Sequence, residues 1–175
     1  SQTKETMTTA KKNFGSTAVL SQKFLDALYK TSIIDKVLAE TAYKNSKTLQ
    51  KTDGKKQRKI VGIPKLCDAN KAGGKDSLKC TLILTEGDSA KTTAVSGLSV
   101  VGRDHWGVFP LRGKLLNVKD VSPDKVGKNE EINNLKKILG LKNNQSFDSL
   151  SKGEWPLRYG KILIMTDQDL DGSHI

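Results

Sequence analysis

Two short apolar runs, each ending abruptly in acidic residues, constrain this chain more than anything else in it. Leu78 to Thr85 contains Cys80-Thr81-Leu82-Ile83-Leu84 and leads straight into Glu86-Gly87-Asp88-Ser89-Ala90. A run this short, partly β-branched, predicts a buried strand. Gly87 permits a tight turn, and Ser89 or Asp88 is placed to cap a helix whose apolar face is Ala90, Ala94, Val95 and Leu98. The second run, Ile162-Leu163-Ile164-Met165, follows Gly160 and also predicts a buried strand; it leads into Asp167-Gln168-Asp169-Leu170-Asp171-Gly172. Strands alternating with helices predict an α/β fold with a mainly parallel sheet flanked by helices. In open sheets of this kind ligands bind beyond the carboxyl ends of the strands, so Glu86 is expected beside the aspartates.

In extended chain, alternate residues point the same way, so Asp167, Asp169 and Asp171 are expected to converge. Carboxylates so close repel and stay ionised only with cations between them. Mg²⁺ is the natural guest, a hard ion that takes a few carboxylates, keeps waters and bridges phosphate oxygens. Mn²⁺ or Ca²⁺ are possible substitutes. An acidic surface turn is the competing reading of the aspartates. An EF-hand loop would place a glycine sixth, as Gly172 is from Asp167, but it follows a helix rather than a strand.

Glu86-Gly87-Asp88-Ser89-Ala90 after one strand, paired with Asp167-x-Asp169-x-Asp171-Gly172-Ser173-His174 after another, resembles the Toprim domain of type IIA DNA topoisomerases. Gly107-Val108-Phe109-Pro110-Leu111-Arg112-Gly113-Lys114 carries the same resemblance, closest to eukaryotic topoisomerase II, as do Ile63-Pro64-Lys65-Leu66 and Asp68-Ala69-Asn70. These motifs span most of residues 60–175, in the family's order. The resemblance implies Mg-assisted cleavage and religation of double-stranded DNA by an ATP-dependent homodimer. Glu86 and Asp167 would hold one divalent ion at the scissile phosphate and the leaving 3′ oxygen. Asp167 and Asp169 would hold a second at a neighbouring phosphate, with Asp171 an outer partner or alternate ligand. Glu86 is open to a second role, as the general base that relays a proton. Lys65, Arg112, Lys114 and Asn117 match positions that face DNA.

The resemblance also divides the chain. Residues 1–47 would be the end of the ATPase and transducer region, where Gln2, Thr3 and Lys4 reach the ATP site and Lys4 meets the γ-phosphate. Residues 48–76 would be a basic linker and lead-in loop, and 77–175 the Toprim domain. The nucleophilic tyrosine lies in a winged-helix domain further on in that family, and Tyr29, Tyr43 and Tyr159 lie in no matching context. The chain is therefore expected to be an internal fragment, unable to cleave DNA alone. Nuclear residence is implied, with a cytoplasmic or viral parent as the alternative.

Composition agrees with a polyanion partner. Lys and Arg number 30 against 19 acids, a net charge of +11. That excess surrounds the predicted acidic metal site, the distribution a phosphodiester-handling enzyme needs. No run approaches the roughly 20 apolar residues of a membrane span. Cys67 and Cys80 lack metal-ligand spacing and read as two reduced thiols.

Elsewhere, Leu20, Phe24 and Leu28, then Ile34, Val37 and Leu38, recur at helical spacing. They predict two helices over 18–47, with Ser21 as one cap, Ser32 and Asp35 as a capping box and a break near Lys30-Thr31. Residues 47–59, Lys-rich around Asp53-Gly54, predict a flexible linker. There Lys55, Lys56, Arg58 and Lys59 are equally consistent with phosphate contacts and with a solvated surface. Val100-Val101-Gly102 and Gly107–Leu111 read as strand pieces. Ser122-Pro123 opens a short turn or helix, and Glu130–Leu139 reads as a helix stopped by Gly140. Two other functions remain open: another Toprim protein, such as a primase or nuclease, and a DNA-binding module without catalysis. Pro110–Lys114 and Gln2-Thr3-Lys4 disfavour the first, and divalent-metal binding separates the second.

Overall fold

A computed structural model describes residues 19–147 and 155–175. The chain forms two compact units, divided between Thr41 and Ala42. Before the division lie α1 (Gln22–Tyr29) and the first turns of α2 (Ile33–Gln50). Ser21 caps α1 as expected, its Oγ accepting from the Phe24 N–H at 3.3 Å. The break between the helices spans Lys30 to Ser32.

The second unit is built on a three-stranded parallel sheet of β1 (Thr81–Glu86), β2 (Trp106–Leu111) and β3 (Lys161–Met165), in the order β2-β1-β3. Between them run α3 (Gly87–Val101), α4 (Pro123–Lys128) and α5 (Glu130–Leu139); α6 (Leu170–His174) follows β3. β1 is central, and its two faces feed separate cores. Leu82 and Leu84 join Phe109, Leu111, Ile138 and Leu139 on the α5 side. Ile83 meets Val108, Ala94 and Leu98 on the α3 side. A strand covered on both faces has no polar side to show, hence the unbroken apolar run.

α5 begins and ends where the sequence predicts. Asn129 caps it, accepting from Ile132 N–H at 2.9 Å, and Gly140 closes it in the left-handed conformation. Val100 and Val101, expected in a strand, are instead the last residues of α3, which stops only at Gly102, whose N–H bonds the Leu98 carbonyl. Neither Asp88 nor Ser89 caps α3; Glu86 holds the cap position without a side-chain bond. β3 also departs from expectation. It lies at the sheet edge, and Ile162, Leu163 and Ile164 are about half exposed rather than buried.

The stretch read as a flexible linker is fastened to this unit. Lys136 Nζ donates to Leu49 O, Thr52 Oγ1 and Asp53 Oδ1 at 2.9, 3.0 and 2.9 Å. Gly54 N–H bonds Leu141 O at 2.7 Å. A Cβ on Gly54 would stand 2.1 Å from Lys136 O, so glycine is required by close packing there, not by flexibility. Arg158, with 0% exposure, donates to Gln57 O at 2.7 Å, Ile138 O at 2.8 Å and Asp68 Oδ2 at 2.5 Å. Tyr159 OH donates to the other Asp68 oxygen at 2.5 Å and accepts from Ala69 N–H at 3.0 Å. Cys67 and Cys80 are free thiols.

Candidate active site

Parallel strands end on one side of a sheet, and here three chain segments with different charge leave that edge together. β1 ends at Glu86, level with Leu111 at the end of β2, so Arg112 emerges beside it. On the other flank Thr85 is level with Met165, so the turn carrying Asp167 emerges next to Glu86. Glu86 Oε2 lies 3.4 Å from the Asp167 amide nitrogen and accepts its N–H. The glutamate thus stands between a basic loop and an acidic turn.

The three aspartates do not converge. Alternation holds only while the chain is extended, and extension ends at Asp169 (φ −130°, ψ −176°), which caps α6. Its Oδ1 accepts from Gly172 N–H at 2.7 Å. Asp171 is already helical and is turned to Lys114, its Oδ1 2.7 Å from Nζ. That hydrogen bond, and then the Lys114 charge, hold the Asp171 carboxyl below the usual carboxylate range. Among the described residues no three His, Cys, Asp or Glu side chains stand close enough together to hold a metal ion. What the fold brings together is the Glu86 carboxylate and the backbone of Asp167.

The basic residues expected to face DNA are distributed around this edge, and the cations are paired. Lys65 Nζ lies 2.5 Å from Asp88 Oδ2 and pulls that carboxyl down; the hydrogen bond is the leading cause. Arg112 Nη1 lies 3.0 Å from Glu130 Oε2, and the Arg112 backbone N–H donates to Glu131 Oε1 at 2.6 Å. Asn117 Oδ1 accepts from Lys119 N–H at 3.0 Å within its own loop. Gln2, Thr3 and Lys4 lie outside the described residues.

Glu130 and Glu131 are functional candidates that the sequence reading missed. Two acids in the first turn of a helix read as dipole partners, and only the fold reveals that α5 starts beside the Arg112 loop. The donor set at the carboxyl edge is all oxygen, with Glu86 and Asp167 adjacent and Asp169 two residues on. That chemistry fits a hard divalent cation, which needs only one or two carboxylates when waters and substrate phosphates complete its shell.

Comparison with known proteins bears on this arrangement. The profile of the Toprim domain matches residues 81–175, more than half of the chain and the whole of the sheet. The chain belongs to the Toprim family. It is 57% identical over its full length to DNA topoisomerase 2 of Drosophila melanogaster, covering 12% of that protein. It is likewise 57% identical to DNA topoisomerase 2-alpha of Homo sapiens, covering 11%. A solved Plasmodium falciparum topoisomerase II DNA-binding, cleavage and re-ligation domain superposes with a TM-score of 0.62 at 59% identity, over 68% of this chain and 16% of that one. The chain therefore spans about a tenth of the curated relatives it matches. In this Toprim domain a parallel sheet is flanked by helices, the fold class read from the sequence.

Proposed function

We propose that this Toprim domain is the metal-dependent part of a type IIA DNA topoisomerase, acting in the cleavage and religation of double-stranded DNA. The observation that carries the reading is Glu86 against Asp167 at adjacent strand ends, framed by Arg112, Lys114 and Lys65. Glu86 and Asp167 would hold Mg²⁺, with waters and substrate phosphates completing its shell. The ion would stabilise charge on the leaving oxygen of the phosphodiester. Arg112 and Lys114 would neutralise flanking phosphates and fix the strand's register. In cleavage a tyrosine oxygen bonds to phosphorus as the bond to the 3′ oxygen breaks, and religation reverses this. The tyrosine comes from outside the described residues. Tyr159 is unsuited to attack, since burial, and then the Asp68 charge, push its phenol pKa well up. Glu86 would alternatively relay a proton to the 3′ oxygen.

Calorimetric titration with Mg²⁺ or Mn²⁺ tests the site. Binding should weaken by about tenfold or more in Asp167→Ala, since a dication in a partly hydrated site loses a charged ligand. Equal affinity in that variant rules the site out, and no binding in the wild-type chain favours a DNA-binding module without metal chemistry.

The Arg112–Glu130 pair bears on DNA contact. Its side chains are 66% and 65% exposed, and pairs so exposed contribute about 0–1 kcal/mol. Exchanging Glu130 for a phosphate therefore costs little. Arg112→Ala should flatten the slope of log affinity against log salt by about one unit, with little change in melting temperature. Arg112→Lys should restore affinity better than cleavage, because it restores charge without the planar fork. An unchanged slope removes Arg112 from the DNA surface.

The remaining assignments extend the same reading. Residues 1–47 would be the end of the ATPase and transducer region, 48–76 a basic lead-in and 77–175 the Toprim domain, within a nuclear homodimer. With Gln2, Thr3 and Lys4 at an ATP γ-phosphate, Lys4→Ala in the full-length enzyme should lower ATP hydrolysis and spare metal-dependent cleavage. The opposite pattern would place that loop in the wrong module.

A further inference from the structure

At the other edge of the sheet the chain forms a second concave surface, and it is basic. Asn70 and Lys71 N–H groups bond the carbonyls of Arg103 and Asp104, just before β2. Asp76 to Lys79 lead into β1, and Gly73 N–H bonds Arg158 O, just before β3. The loop 70–76 therefore caps the amino ends of all three strands. Two cavities open side by side on it. One, of about 260 Å³, is lined by Arg58, Lys71, Lys75, Asn70 and Asp76 among others. The other, of about 380 Å³, is lined by Lys56, Arg58, Lys75, Gly73, Gly74 and Trp155. Arg58, Gly74 and Lys75 belong to both, so they form one continuous groove.

Among the described residues the acids near this groove are paired, one of them with the groove's own Lys71. Asp76 bonds Lys79 at 3.0 Å, Asp104 pairs with Lys71 at 3.1 Å and Asp68 pairs with Arg158 at 2.5 Å. The Asp76 carboxyl is held down by Lys79 first, with Lys71 and His105 adding to the positive field. Arg58 and Lys75 form no ion pair among the described residues, and both are exposed. Both stand on the concave wall, exposed to solvent. Lys56 is partly committed, since its Nζ donates to Trp155 O.

We infer that this groove binds the phosphate backbone of nucleic acid, as a site separate from the Glu86–Asp167 edge. A strand of five or six residues is roughly 17–20 Å long, beyond the Debye length of about 10 Å at 0.1 M salt. Cations at the two edges therefore act on different phosphates. Exposed arginine and lysine on a concave wall suit a string of closely spaced negative charges, and each phosphate neutralised releases counterions. The groove also gives a place to Lys56 and Arg58, half of the basic run that the sequence left undecided between phosphate contacts and solvated surface.

The test uses the 175-residue chain, a fluorescent 30-base-pair duplex and anisotropy over a salt series, with inorganic tripolyphosphate as competitor. Three variants are compared with wild type: Arg58→Ala with Lys75→Ala, Arg112→Ala with Lys114→Ala, and all four together. Among the described residues neither Arg58 nor Lys75 has a side-chain partner, so melting temperature should hold. The groove pair should flatten the salt slope by about two units, and the fourfold variant by about four. An unchanged slope in the groove pair overturns the inference, whatever the carboxyl-edge pair does. A flattened slope in the groove pair, with none in the carboxyl-edge pair, supports the groove and removes DNA from the carboxyl edge. Loss of tripolyphosphate competition without any change in duplex binding would make the groove a small-anion site and overturn its assignment to nucleic acid.

Discussion

Arg158→Ala is expected to destabilise the domain by about 3–5 kcal/mol, the cost of breaking a buried ion pair from one side. The guanidinium is fully buried and holds four chain segments at once: the lead-in at Gln57, the end of α5 at Ile138, the Asp68 carboxylate and its own strand entry. It also lies 5.6 Å from the centre of the Tyr159 ring. Alanine would leave the Gln57 and Ile138 carbonyls without their donor and Asp68 with Tyr159 as its remaining side-chain partner. Each such orphan costs about 1–3 kcal/mol when water cannot reach it. For a unit the size of Ala42–Ile175 the loss should lower the melting temperature by roughly 10–20 °C. Urea unfolding of this variant beside Arg112→Ala provides the check. Arg112 is exposed and should cost under about 1 kcal/mol. Equal losses in the two variants would show that Arg158 does not hold the lead-in to the sheet.

Arg158 also marks the limit of what a sequence window shows. Its bond to Gln57 joins residues 101 apart, and that of Lys136 to Asp53 joins residues 83 apart. Residues 47–59 are polar and without period, so nothing local distinguishes a linker from a segment fastened by distant cations. Elements defined by near neighbours were legible. α5 has its apolar spacing and its glycine stop within a dozen residues, and β1 has its apolar run and its turn. β3 was legible as a strand but not as an edge strand, because an apolar run looks the same whether or not helices cover it. At the site, Glu86 beside Asp167 followed from two strand ends in one parallel sheet. The convergence of three aspartates did not, because Asp is both a metal ligand and a preferred helix cap. At Asp169 the cap is formed, and the helix it starts turns Asp171 toward Lys114.

That cap makes Gly172 a sensitive position at the site. Gly172→Ala is expected to weaken Mg²⁺ or Mn²⁺ binding at least about tenfold while barely moving the melting temperature. A Cβ on Gly172 would lie 2.1 Å from the Asp167 carbonyl oxygen and 3.0 Å from Thr166 Oγ1. Neither α6 nor the Asp167 turn can keep its place against such an overlap, so one must shift. The shift separates Asp167 from Glu86 and disturbs the Gly172 N–H bond that orients the Asp169 carboxylate. α6 has no buried residue, so its displacement costs the core little. A tenfold loss is about 1.4 kcal/mol. Asp171→Ala is the natural comparison. It removes a carboxylate that is held by Lys114 and leaves the cap intact, so its effect on metal affinity should be smaller than that of Gly172→Ala. If Gly172→Ala binds metal as the wild type does, the Asp167 turn does not set the metal site, and the ligands beyond Glu86 must be sought elsewhere on the carboxyl edge.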